Sequence, residues 1–161
     1  MSHESNRESS AVQIEQLIAA HCMRPGGLLP LLHAIQEAIG HVPEDAVPAI
    51  SRGFNLSRAE VHGVITYYHF FRSKPVGRHL VEVCRAESCK ALGADALLAH
   101  AEGLLGCKSH HTRSDGAVTL TPVYCLGLCA MSPAIMVDDR PYARMTATKL
   151  DALARTLEIT P

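Results

Sequence analysis

Two short cysteine pairs, Cys84/Cys89 and Cys125/Cys129, carry the chemistry that can be read from this chain of 161 residues. Four residues separate the first pair, three the second, and 35 lie between the pairs. Four thiolates can wrap one small metal centre, and iron–sulfur clusters and structural zinc are the two usual occupants. The spacing by itself does not choose between them. A dithiol oxidoreductase fits less well, because the chain has no C-x-x-C motif. Cys22 and Cys107 stand outside the pairs and read as small apolar residues. A mixed cysteine–histidine centre would need two histidines in the cysteine loops. The adjacent pair, His110-His111, instead precedes a turn signal and reads as solvated loop. His33, His62 and His69 fall on expected helices, as packing or surface residues. No histidine pairs obviously with a nucleophile and a carboxylate. Arg85 and Lys90 flank the first pair, either as cations favouring an anionic centre or as ordinary solvated charge. Gly93 and Gly127 could let backbone approach the sulfurs closely.

Each pair follows an apolar run. HLVEV ends at Cys84, and VTLTPVY ends at Cys125. Two strands would thus deliver two loops, each with two sulfurs, to one end of a sheet. The elements before them read as helices. Val12 to His21 has a broad apolar face and is broken by Pro25-Gly26-Gly27. A second helix runs from Pro30 to Ile39, with Gly40 suited to end it. A third spans Glu44 to Arg52 and closes at Gly53. Ser57 with Glu60 reads as a capping box that opens a helix to Phe71. The later elements are a strand over 79–84, a helix over 89–105, and a hairpin turn at Ser114-Asp115-Gly116 before a strand over 117–124. Strands over 134–137 and 141–145 and a helix over 147–157 follow. The second half therefore reads as a small α/β or α+β sandwich.

Composition limits the function classes. Charge is balanced, with 15 basic and 16 acidic side chains, so net charge selects no nucleic-acid or membrane partner. Only 4% of residues are aromatic, which argues against a surface for stacking bases. No apolar run is long enough to span a bilayer. The polar start, MSHESNRESS, lacks a secretory h-region. A cytoplasmic location is expected, where paired cysteines favour metal or redox chemistry over disulfides.

The stretches LLPLLHAIQEAIGHVPEDAVPAI, LSRAEVHGVITYYHFF, CRAESCKALG and VYCLGLCAMSPAIMV resemble one protein group, over about residues 11–158. It is the thioredoxin-like [2Fe-2S] family that contains the 24 kDa subunit of respiratory complex I. Within it, CRAESCKALG and RAEVHGVITYYHFFR most resemble the gamma subunit of NAD-dependent, molybdenum-containing formate dehydrogenase. The resemblance implies an α+β chain. Residues 1–10 would be a disordered tail, 11–74 an N-terminal helical bundle, and 75–161 a thioredoxin-like [2Fe-2S] ferredoxin domain. It implies one [2Fe-2S] cluster on Cys84, Cys89, Cys125 and Cys129, which match the family's ligand positions one for one. It implies as partners a flavin-bearing, NADH-binding subunit and a molybdenum catalytic subunit.

The expected role is therefore electron transfer within an oxidoreductase complex, with no catalytic residue in this chain. The alternatives are a cluster-bearing subunit of complex I or of an NAD-linked hydrogenase, and, in a different class, a zinc-stabilised interaction module. The run from Val64 to Phe71 is too apolar all round for one helix to bury. It is expected to need a second cover, for which the resemblance offers the flavin-bearing subunit.

Overall fold

Apolar residues spaced three and four apart in the first half fold as helices, as their period requires. The computed structural model describes residues 2–161, with side chains from residue 9 onward, and divides the chain into two compact units, Met1–Pro75 and Val76–Pro161. The first unit contains α1 (Ser2–His21), α2 (Leu28–Ile39), one turn of 3-10 helix (Glu44–Ala46) running into α3 (Val47–Phe54), and α4 (Arg58–Tyr67). Its core joins Ile14 and Ile18 of α1, Leu31, Leu32 and Ile35 of α2, Ile50 of α3 and Val61 of α4. Helix α1 starts at Ser2, ahead of the Val12 expected from periodicity. The side chains of residues 1–8, where most of the expected tail falls, lie outside the described residues.

Two helix ends differ from expectation for identifiable reasons. Gly53 does not terminate α3; Asn55 does, in the left-handed conformation at φ 53°, with its N–H on the Arg52 and Ser51 carbonyls. Gly53 serves packing instead. A Cβ there would overlap Ile18 Cγ2, so only glycine lets α1 and α3 approach this closely. Helix α4 starts on the expected capping box. The Ser57 N–H donates to Glu60 Oε2 at 2.7 Å, and the Glu60 N–H donates to Ser57 Oγ at 3.2 Å. It ends at Tyr67, four residues before Phe71, because buried Gln36 captures the chain beyond it. Gln36 Nε2 donates to the Phe70 carbonyl at 2.8 Å, and Gln36 Oε1 accepts the Arg72 N–H at 2.8 Å. One amide side chain thus satisfies two backbone groups that a continuing helix would have paired. Phe71 turns into the core, whereas Tyr67, Tyr68 and Phe70 are exposed. The run is therefore partly buried by leaving the helix.

The second unit is a five-stranded sheet, ordered β2-β3-β1-β4-β5, with helices α5 to α7. The strands are β1 (His79–Cys84), β2 (His111–Thr112), β3 (Val118–Val123), β4 (Ile135–Val137) and β5 (Arg140–Tyr142). β1 and β3 pair in parallel, and the other neighbours pair antiparallel. The helix expected over 89–105 is two helices, α5 (Glu87–Ala91) and α6 (Ala94–Leu105), separated at Gly93 with φ 94°. α7 spans Ala147–Thr156. Leu97, Leu98, Ala101 and Leu105 of α6 and Leu150 and Ala154 of α7 share one core with Val81, Val83, Val118, Leu120, Ile135 and Val137 of the sheet. A mixed sheet covered by helices is the α+β arrangement expected.

Candidate metal centre

The parallel pairing of β1 and β3 brings the two cysteine-bearing loops to one sheet edge. The two strands run in register from His79 opposite Val118 to Cys84 opposite Val123. Parallel neighbours finish at the same sheet edge, so the loops after them emerge side by side. Cys84 is the last residue of β1, and Cys125 follows the end of β3 by two residues. Two backbone bonds fasten the junction: Arg85 N–H to the Val123 carbonyl at 2.7 Å, and Cys84 N–H to the Ala134 carbonyl at 3.1 Å. Cys89 sits on α5, and Cys129 opens a turn of 3-10 helix, Cys129–Met131.

The thiols form an inner and an outer pair. Cys84 and Cys89 are each 2% exposed, in a small apolar cluster with Ala94 and Ala134. Leu126 and Leu128, between the outer cysteines, pack against that cluster. Cys125 and Cys129 are exposed, with their sulfurs 3.9 Å apart. Cys125 holds φ 93°, a conformation that costs a non-glycine residue about 1–3 kcal/mol and is typical of functional positions. Two residues later, Gly127 at φ 76° turns its N–H onto Cys125 Sγ at 3.4 Å. Close backbone approach is expected at Gly127 from the sequence, and this bond is such an approach. Gly93 instead makes the break between α5 and α6.

Electrostatics differ between the pairs. Burial pushes the Cys84 thiol up. Bonds from the Ala86 N–H, the Cys89 thiol and the Leu126 and Cys125 N–H groups outweigh it, so Cys84 lies below the ordinary thiol value. Hydrogen bonding to Cys125 is the main influence raising Cys129, with Cys125, Cys89 and Cys84 adding like-charge repulsion. Backbone N–H donors aimed at sulfur favour thiolate, the form a metal needs. Arg85 offers its guanidinium to Asp95 at 2.7 Å, so its charge is already matched.

Serines tie the two loops together, and these the sequence reading missed. Ser88 Oγ donates to the Cys129 carbonyl at 3.1 Å and lies 3.0 Å from Ser132 Oγ. Ser132 Oγ is 3.0 Å from the same carbonyl and 3.3 Å from Cys89 Sγ. The available signal was a lone small polar residue in LCAMSPA, a weak one without the contact.

The remaining candidates lie elsewhere. Cys22 is in the helical unit, bonded to the Ala19 carbonyl. Cys107 is in the sheet core, with its thiol on the His111 carbonyl at 3.0 Å. His33 packs its ring on Phe70 and Phe71. His110 and His111 are exposed, with His111 on β2.

Among the described residues, no group of three or more His, Cys, Asp or Glu side chains is gathered closely enough to hold a single metal ion. The four thiols stand as two pairs. A [2Fe-2S] centre has two irons and can take two thiolates at each, so this donor set fits it. The match to known proteins decides the family: residues 14–158 correspond to the thioredoxin-like [2Fe-2S] ferredoxins. The chain belongs to that family. Its cofactor is a [2Fe-2S] cluster. Family relatives include an NADH-quinone oxidoreductase subunit of Rhizobium meliloti, 35% identical over 88% of this chain and 84% of the relative. The NADH-quinone oxidoreductase subunit 2 of Thermus thermophilus is 32% identical over 81% of this chain and 72% of the relative. Among solved structures, the NAD+-reducing [NiFe]-hydrogenase in its air-oxidised state superposes with a TM-score of 0.68 at 26% identity. That match covers 82% of this chain, which spans 23% of the hydrogenase chain.

Proposed function

We propose that this family member is an electron-transfer subunit of an NAD-linked oxidoreductase complex, with its cluster on Cys84, Cys89, Cys125 and Cys129. The observation that carries the reading is the delivery of two thiol pairs by loops at the shared edge of β1 and β3. The cluster, when bound, accepts and releases one electron at a time. The chain's own residues do the rest. The cysteine thiols lose their protons to bind. The Gly127 N–H supports the Cys125 sulfur. The apolar group of Ala94, Ala134, Leu126 and Leu128 keeps water from the inner pair. On this reading, substrate chemistry is carried by other subunits of the complex.

The similarity to the NADH-quinone oxidoreductase subunits and the NAD+-reducing hydrogenase supports a complex of one of those types. A second reading, the gamma subunit of a molybdenum formate dehydrogenase, is supported by the motifs CRAESCKALG and RAEVHGVITYYHFFR. Both readings include a flavin-bearing, NADH-binding partner. Purifying the complex through a tag on this chain, then measuring molybdenum, nickel and flavin, separates them. Flavin without molybdenum supports the first reading, and flavin with molybdenum the second. Recovery of the chain with neither flavin nor another subunit would overturn both.

A further inference from the structure

We infer that Ser132 is a positioning residue for the redox centre, its hydroxyl donating a hydrogen bond to the Cys89 sulfur, with Ser88 holding it free to do so. The inference rests on the reading of Cys89 as a cluster ligand.

Proton counting sets the direction of this bond. Ser132 Oγ has three polar neighbours: Cys89 Sγ at 3.3 Å, the Cys129 carbonyl at 3.0 Å and Ser88 Oγ at 3.0 Å. As a free thiol, Cys89 can give its proton to Ser132 Oγ. As a ligand it is a thiolate and can only accept. Ser132 then has one O–H and three possible acceptors: the sulfur, the Cys129 carbonyl and Ser88 Oγ. Ser88 resolves the competition, because its own hydroxyl reaches the Cys129 carbonyl at 3.1 Å. With the Ser88 proton on that carbonyl, the thiolate is the one charged acceptor left to Ser132, and the Ser132 proton goes to sulfur rather than to Ser88 Oγ. Ser132 is 9% exposed and Cys89 2%, so water competes little for this bond.

The consequence is directional. Electron uptake makes the centre more negative, and an O–H aimed at one of its sulfurs stabilises the more negative state more. The bond therefore raises the reduction potential. No covalent bond forms or breaks in this network, and Ser132 keeps its proton in both redox states. The two serines also join the loop of the first pair to the loop of the second. The same bonds that orient the donor hold Cys89 and Cys129 in register.

The test uses the full-length protein with its cluster. In Ser132→Ala, the reduction equilibrium followed by optical and paramagnetic resonance titration is expected to weaken about tenfold. For one electron that is a potential lower by about 60 mV. Ser132→Thr, which keeps the hydroxyl, is expected to stay near wild type. Ser88→Ala should move in the same direction as Ser132→Ala but less, since Ser132 would then share its proton with the Cys129 carbonyl. An unchanged potential in Ser132→Ala, or an equal fall in Ser132→Thr, overturns the inference. If Ser132→Ala does not retain a cluster, resonance Raman in heavy water decides, on the wild-type protein and on Ser88→Ala. An isotope shift in an iron–cysteine stretch that shrinks in Ser88→Ala supports the bond, and no shift in the wild-type protein overturns it. The ligand assignment is read separately, from iron and sulfide in Cys89→Ser. A full cluster there defeats the ligand reading itself, whereas a lost cluster with an unchanged Ser132→Ala potential defeats only the role of Ser132.

Discussion

Among the six cysteines, environment separates four from two. Cys84, Cys89, Cys125 and Cys129 share one sheet edge, while Cys107 is packed in the sheet core and Cys22 lies in the helical unit. Serine at any of the four should weaken or abolish the cluster, because a hydroxyl is a poorer ligand for iron than a thiolate. Serine at Cys22 or Cys107 should leave it intact. At Cys107 the new hydroxyl can keep the bond to the His111 carbonyl now made by the thiol at 3.0 Å. Iron and acid-labile sulfide in the six variants check this. A full complement in Cys125→Ser, or none in Cys107→Ser, would sink the assignment. The visible spectrum checks the metal too, since a ferric [2Fe-2S] centre is coloured and a zinc site is not.

At the scale of elements, two devices hold chain segments that regular hydrogen bonding leaves open. Gln36 spans from α2 to the segment after α4 through the Phe70 carbonyl and the Arg72 N–H. Gln36→Ala would strand both groups, and one unsatisfied buried group costs about 1–3 kcal/mol. We expect about 2 kcal/mol of destabilisation on that scale, read by urea unfolding of the helical circular dichroism signal. The second device is the β2–β3 hairpin. Asp115 accepts from the Arg113 guanidinium at 2.8 and 2.9 Å and from the Ala117 N–H at 3.0 Å. The Arg113 bonds, helped by the Ala117 N–H, lower the Asp115 carboxyl from 3.8 to about 2. A folded value below the unfolded one means that the contribution to stability is complete above the unfolded value. It is lost as pH falls from about 4 through about 2. Asp115→Asn should therefore flatten the acid limb of the stability profile in that window while changing its shape little at neutral pH. An acid limb identical to wild type in thermal melts across that window would remove Asp115 from the account.

For the whole molecule, each unit has its own core, and the cluster proposed on the four cysteines belongs to the sheet unit. The cysteine loops bury little apolar side chain: Ala94 and Ala134 beside the inner thiols, with Leu126 and Leu128 half-buried against them. Metal bound to the folded state adds its binding free energy to stability. Removing the cluster should lower the melting temperature of the sheet unit and leave most of the helical signal of the first unit. Equal melting of the two forms, by calorimetry and circular dichroism together, would count against this. Core truncations should act unit by unit. Leu31→Ala in the helical unit and Leu120→Ala in the sheet unit each remove a side chain with no exposure, at about 2–5 kcal/mol. Among the described residues no helix is long and apolar enough to cross a membrane.

Sequence alone carried what depends on local chemistry. The cysteine pairs, the capping box at Ser57 and Glu60, the Gly40 helix end, strand β1 and the Ser114–Gly116 turn all rest on neighbouring residues, so they could be read without a fold. The flanking residues of the cysteines carried the family as well. Features that depend on distant residues were not legible. Helix α4 stops at Tyr67 because Gln36, in a different helix, bonds the chain beyond it. Gly53 looked like a helix end but answers to Ile18 of α1, whose Cγ2 fills the space a Cβ would need. Ser88 and Ser132 have no motif to announce them, and they meet only because two strands end at one edge. The four thiols were visible in the chain as two pairs. That one pair is buried and the other exposed was decided by parallel pairing and by the apolar residues that close over Cys84 and Cys89.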